Sequence, residues 1–140
     1  MKRIFKTILG LLLVSRAAFA ADGTETVRLF VKAFNHQDIS GMLDLVAPDM
    51  RWMSISGQKI TIETATQTEL GNAMSGYFKS ASGITSEIRF LSESGNFVYA
   101  LEEAFWSVDD VEKSQCSMAV YELAEGKIQH VWYFPSHQCS

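Results

Sequence analysis

The chain predicts an α+β domain, with helices first and an antiparallel sheet after them. Two observations carry this. Apolar residues recur at helical spacing in three segments before residue 81. After it come four strand-like runs, Ile84–Leu91, Phe97–Val108, Ser114–Leu123 and Lys127–Phe134, separated only by "SESGN", "DDVEK" and "EG". Helices and strands segregate along the chain instead of alternating, which argues against a parallel βαβ architecture.

The first helix runs from Thr24 to about His36, with Val27, Phe30, Val31 and Phe34 on one side and Glu25, Arg28 and Lys32 between them. "NHQD" breaks it, and Asp38 can cap a short second helix carrying Ile39, Met42, Leu43 and Val46, which Pro48 ends. "MRWMSIS" reads as a strand, Gly57 as a turn, and "KITIET" as its continuation or a second short strand. From Thr66 to Ser80 the helical period returns, with Leu70, Ala73, Met74, Tyr77 and Phe78 on one side; Gly71 and Gly76 weaken it. No internal repeat or long linker interrupts the order.

Residues 1–20 have the layout of a cleaved export signal: basic "MKRIFK", apolar "TILGLLLV", and Ala18-Phe19-Ala20 before the cut. The apolar core is far shorter than the roughly 20 residues that span a bilayer. The expectation is a single domain over 21–140, exported to the periplasm or beyond. Of 12 basic residues, Lys2, Arg3, Lys6 and Arg16 leave with the leader, while all 16 acids remain, for a net charge of about −8. No basic cluster survives, so neither nucleic acid nor an anionic membrane surface is expected as a partner. Two cysteines, Cys116 and Cys139, remain. In an exported chain such a pair is expected to bridge, tying the tail to the strand before the last hairpin.

That hairpin, "YELAEGKIQHVWYF", turns at Glu125-Gly126. Counting outward from Ala124 opposite Lys127, one face holds Met118, Val120, Val131 and Tyr133. The other holds Ala119, Tyr121, Leu123, Ile128, His130, Trp132 and Phe134. Both faces are apolar, whereas a sheet with one wet side would alternate. Each face therefore needs a cover: the helices on one side, a second subunit on the other.

Through "VRLFVKAFNHQDISGMLDLVAPDMRW", "ELGNAMSGYF" and "VYELAEGKIQHVWYF", the chain resembles the nuclear transport factor 2-like superfamily, in its SnoaL-like and ketosteroid-isomerase-like branch. The resemblance spans about Thr24 to Phe134. It implies a cone: three helices packed into the concave side of a curved, mostly antiparallel sheet, an interior pocket between them, and a convex side that often forms a homodimer. It also implies a departure. In many enzymes of the branch, the strand after the second helix follows an aromatic residue with His or Asp, the acid serving as general base. Here Met50-Arg51-Trp52-Met53-Ser54 fills the acid/base positions with Met53 and Ser54. A thioether and an unactivated hydroxyl do not abstract protons near neutral pH.

The remaining catalytic candidates are His130, Tyr121, Glu102 and Glu103. His130 sits opposite Tyr121 in the counted register, as an imidazole–phenol pair for a pocket ligand or as a cross-strand polar pair. Glu102 and Glu103 must point to opposite faces, so one can enter the cone, where burial would raise its pKa, while the other pairs with a base such as Arg89. Asp49 reads as a turn or cap residue, His36 as an inter-helix polar group. Trp52, Tyr77, Phe105, Trp106 and Trp132 are the candidates to line a pocket. His130, His137 and Cys139 match no established zinc spacing, and no phosphate loop or nucleophile elbow occurs, so neither metal nor cofactor is expected. The functional expectation is a ligand-binding module for a small hydrophobic or amphipathic molecule. The alternatives are an isomerase, dehydratase or hydrolase with a non-standard acid/base set, and a filled scaffold.

Overall fold

The computed structural model describes residues 22–81 and 83–140; the expected leader and cleavage site lie outside them. Helix α1 (Gly23–Asn35) and the single turn α2 (Ile39–Leu43) lead into strands β1 (Val46–Ser56) and β2 (Lys59–Thr64). Helix α3 (Gln67–Ser80) follows, and then the strands β3 (Thr85–Ser94), β4 (Phe97–Val108), β5 (Val111–Ala124) and β6 (Lys127–Tyr133). The strands form one sheet in the order β2-β1-β6-β5-β4-β3, antiparallel except where β1 runs parallel to β6. The expected α+β class is what the chain adopts: helices pack on one face of a mixed sheet.

Local chemistry starts each helix where the sequence places it. The Asp22 carboxylate accepts the Thr24 amide at 3.0 Å, Asp38 accepts the Gly41 amide at 2.9 Å, and the Thr66 hydroxyl accepts the Glu69 amide at 3.1 Å. The second helix stops at Leu43, and Val46 already belongs to β1. Pro48 therefore sits inside a strand, in the irregular stretch where the β1–β6 pairing slips between Val46 and Arg51 and no ladder donor is required.

The hairpin turn is as read: Glu125 and Gly126 both have positive φ (53° and 75°), the two-residue geometry that a glycine second position favours. The register beyond it is not. Leu123 pairs with Ile128, but Glu122 pairs with His130, Tyr121 with Val131, Val120 with Trp132 and Ala119 with Tyr133. Gln129 is an extra residue, a β-bulge, and everything after it changes face. Val131 and Tyr133 thus join Ala119, Tyr121, Leu123 and Ile128 against the helices, while His130 and Trp132 move to the other face.

The core lies between helices and sheet, around Val27, Phe30, Met42, Met50, Leu70, Val98, Tyr121, Ile128 and Val131. On the far side of β5, Cys116 and Cys139 form a disulfide, and the tail is further held by paired backbone bonds between Cys116 and His137 of 2.8 and 2.9 Å.

Candidate functional site

Three elements converge on one carboxyl group. Glu102 lies in the middle of β4 with its side chain on the helix-covered face and is 6% exposed. The Tyr121 hydroxyl, from β5, meets its Oε1 at 2.5 Å, and the Tyr133 hydroxyl, from β6, meets its Oε2 at 2.8 Å. The two phenol oxygens are themselves 2.9 Å apart. Ser86 of β3 reaches Oε2 at a long 3.5 Å. Its strand is pinned to the end of α1 by reciprocal bonds between Asn35 and the Ser86 backbone at 2.7 and 2.8 Å.

This cluster forms the polar wall of a cavity of ≈ 270 Å³ whose other walls are apolar, among them Phe30 and Phe34 of α1, Trp52 of β1, and Met74 and Tyr77 of α3. The ring of Trp52 stacks on Tyr133 at 5.0 Å with planes 6° apart, and Phe30 contacts both Trp52 and Tyr121. Tyr133 is thereby fixed by packing on its face and by hydrogen bonding at its hydroxyl.

Burial pushes the Glu102 carboxyl above its ordinary 4.5, against the opposing pull of the bonds from Tyr121, Tyr133 and Ser86. Burial and the neighbouring carboxylate hold both phenols protonated, well above 10. Proton counting points the same way. The three contacts among Glu102, Tyr121 and Tyr133 need one hydrogen each. A neutral carboxyl and two phenols supply three, closing a ring. An ionised carboxyl leaves two hydrogens for three contacts, so one pair of oxygens would face each other without a proton. The neutral acid fits the geometry, and a ligand oxygen would take a hydrogen from the cluster by opening one bond of that ring.

The other sequence candidates fall elsewhere. Glu103 points to the opposite face, where it accepts the Arg89 Nε–H at 2.6 Å and the Ser114 hydroxyl at 2.6 Å. Those bonds hold it below the usual carboxylate range. Arg89 reaches it by ordinary alternation, standing two residues beyond Glu87, the direct partner of Glu103 across β3 and β4. His130 does not meet Tyr121; the bulge gives it Glu122 instead, at 2.8 Å on the face away from the cavity. Asp49 accepts the Gln129 side-chain amide at 2.9 Å and so holds the bulge itself. Of the aromatic candidates, Trp52 and Tyr77 line the cavity, and Trp106 lines an adjoining space. Phe105 and Trp132 line neither, lying on the far face of the sheet. Ser54 donates to Glu63 at 2.6 Å, and Met53 packs on the far face; neither reaches the cavity. One oxygen of Glu103 and the sulfurs of Cys116 and Cys139 cluster within 4.8 Å, but both sulfurs are spent in the disulfide and Glu103 is already paired.

Sequence reasoning missed Tyr133 as a partner of Glu102, together with Phe30, Ser86 and Ala104 as walls. The sign for Tyr133 was present. Ile128, Val131 and Tyr133 are spaced three and then two apart, with two consecutive polar residues, Gln129 and His130, between the first pair. A strand that must keep its apolar face inward accommodates that spacing only with a bulge.

The architecture recurs in solved structures. An uncharacterised cystatin-fold protein from Novosphingobium aromaticivorans superposes with a TM-score of 0.71 at 16% identity, covering 83% of this chain and 100% of that one. A nuclear transport factor 2-like protein of unknown function from Burkholderia pseudomallei gives 0.68 at 19% identity, covering 86% and 92%. TerC, co-crystallised with polyporic acid, gives 0.67 at 15% identity, covering 79% and 88%. At these identities the likeness establishes the fold alone. No curated protein matches by sequence. Residues 27–131, three quarters of the chain, match the SnoaL-like domain, and with the helix-lined sheet and its interior cavity this places the protein in the SnoaL-like family of the nuclear transport factor 2-like superfamily.

Proposed function

We propose that the protein is an exported binding module whose cone holds a small, largely apolar molecule through one hydroxyl or carbonyl group. The single observation that carries this is the Glu102–Tyr121–Tyr133 cluster, a hydrogen-bonding centre walled by aromatic and aliphatic side chains. Small-molecule sites have that composition: mostly apolar, with a few converging polar groups that fix orientation. The crystallisation of the similarly folded TerC with polyporic acid supports a ligand for a cone of this shape. Export rests on the leader sequence, and the Cys116–Cys139 bridge is in keeping with an oxidising compartment.

The test is thermal unfolding of the mature chain against uncharged aromatic and alicyclic alcohols and ketones. A true ligand at a hundredfold excess over its Kd stabilises by about 2.7 kcal/mol. Tyr133→Phe, which keeps the ring stacked on Trp52 but removes the hydroxyl, should weaken the best ligand severalfold. A library that gives no stabilisation, with no molecule retained in native mass spectrometry, would defeat the reading.

A second reading rests on the same carboxyl. A buried acid with a raised pKa can exchange a proton with a bound carbonyl compound, as an isomerase or dehydratase requires. It ranks second because neither His130 nor Glu103 shares the cavity, so Glu102 would act as the sole carboxylic acid, with only phenols and Ser86 beside it. Deuterium incorporation from D₂O into a bound ketone, abolished by Glu102→Gln, would move the enzyme reading to first place.

A further inference from the structure

A second space adjoins the first. It lies between the C-terminal end of α3 and the turn end of the β4–β5 hairpin and is lined by Ser80, Trp106, Ser107 and Gln115 together with Tyr77, Ile84 and Ala104. The last three also line the inner cavity, so the two spaces meet along a common wall. The strand pairing explains why. Ala104 and Gln115 are direct partners across β4 and β5, so Gln115 stands on the helix-facing side, two residues outward from the plane of Glu102 and Ser117. The face thus changes from a buried carboxyl at Glu102, through the small Ala104, to the Gln115 amide and the Trp106 indole at the rim.

We propose that the two spaces form one bipartite site for an elongated, uncharged molecule carrying a hydrogen-bonding group at each end. One end would meet Glu102, Tyr121 and Tyr133; the other would meet Gln115 beside the indole of Trp106. This rests on the binding reading above and narrows its ligand class. Size favours it. The inner cavity, at ≈ 270 Å³, falls just short of the roughly 300–1,000 Å³ typical of small-molecule sites. The outer space, at ≈ 440 Å³, carries the whole well into that range. Charge favours a neutral ligand. Neither lining includes a Lys or Arg, although Lys113, the direct partner of Trp106, stands on the same face beyond the outer space. With about −8 on the mature chain, an anionic ligand would meet a negative protein and no cation among the lining residues. Ala104 lines both spaces and places only a methyl there, where the flanking positions on the same face of β4 carry Glu102 and Trp106.

The test is isothermal titration of the mature protein at pH 7 with three rigid probes: 4-phenylphenol, 4,4′-dihydroxybiphenyl and 4′-hydroxybiphenyl-4-carboxylate. The diol should bind about five- to tenfold more tightly than the mono-ol, combining one further hydrogen bond with a twofold statistical factor for its equivalent ends. In the variant Gln115→Leu, an exposed position outside the core, that advantage should shrink to about twofold. The carboxylate should bind more weakly than the diol.

A diol advantage of twofold or less in the wild type overturns the proposal, as does an advantage that survives Gln115→Leu. A carboxylate binding as tightly as the diol overturns the neutral ligand class. Mono-ol binding weakened by Glu102→Leu, without a gain for the diol, leaves the inner site standing and removes the outer one. If no probe binds, the parent reading fails and this one with it.

Discussion

Glu102 and Glu103 are neighbours in sequence with opposite electrostatics, and this has a measurable consequence for stability. The Glu102 pKa is raised in the folded protein above 4.5, so the fold keeps a proton that the unfolded chain has already lost. The stability this supplies is complete below pH 4.5 and is lost as pH climbs through the raised folded value. Glu103, lowered by Ser114 and Arg89, supplies stability above 4.5 that is lost as pH falls through its folded value. Glu102→Gln removes only the first effect. Its melting temperature, subtracted from that of the wild type at each pH, should show the wild type losing ground from pH 4.5 upward. A flat difference between pH 4.5 and 8 would mean that Glu102 is not held neutral. Alternation alone foretold that one glutamate would enter the cone and the other face Arg89. Which was which depends on the phase of the β4 side chains relative to the helices, and no spacing within β4 records that.

At the level of the element, Gln129 is an extra residue in the last strand. The bulge takes up this extra residue, so that Val131, fully buried, and Tyr133 lie in the interior while His130 and Trp132 face outward. Deleting Gln129 would leave Ile128, His130 and Val131 in ordinary alternation, with Glu122 still opposite His130 and Tyr121 opposite Val131, so the faces should survive. The deletion should cost no more than about 1–2 kcal/mol, chiefly the lost bond to Asp49, and the variant should still unfold cooperatively by circular dichroism. A loss above about 4 kcal/mol would show that the bulge itself holds the strand in place. The helix starts, the Glu125-Gly126 turn and the strand order of the meander were legible because caps, turns and alternation are local signals. The bulge was less so: it shows only as a broken apolar spacing, and the pairing of Glu102 with Tyr133 depends on it. The Cys116–Cys139 bridge is a separate element-scale lock. With a sequence separation of 23 between the partners, Cys139→Ser should lower stability by about 3 kcal/mol in a chemical unfolding curve, a loss that reduction of the wild type should reproduce.

For the molecule as a whole, the open face of the sheet sets the next question. Ile60 and Ile62 of β2, Met118 of β5, Tyr99 of β4 and Phe90 of β3 lie on the side away from the helices, from 39% to 60% exposed. Together with Trp132 and Val120 they spread apolar surface over most of the sheet, more than a monomer ordinarily leaves in water. A second copy laid on this face would cover it, and a two-fold axis would bring equivalent residues of the two sheets together. β5 is an interior strand of the six, so Met118 falls near the middle of such an interface, where truncations and charges are most costly. Met118→Lys would set like charges against each other across the axis without touching the cavity or the core. Sedimentation equilibrium should then give twice the chain mass for the wild type at micromolar concentration and the single mass for the variant, while both melt cooperatively. A wild type that stays monomeric up to high concentration would remove the dimer. The glutamate–tyrosine cavity on the opposite face would be unaffected, because its walls come from one chain alone.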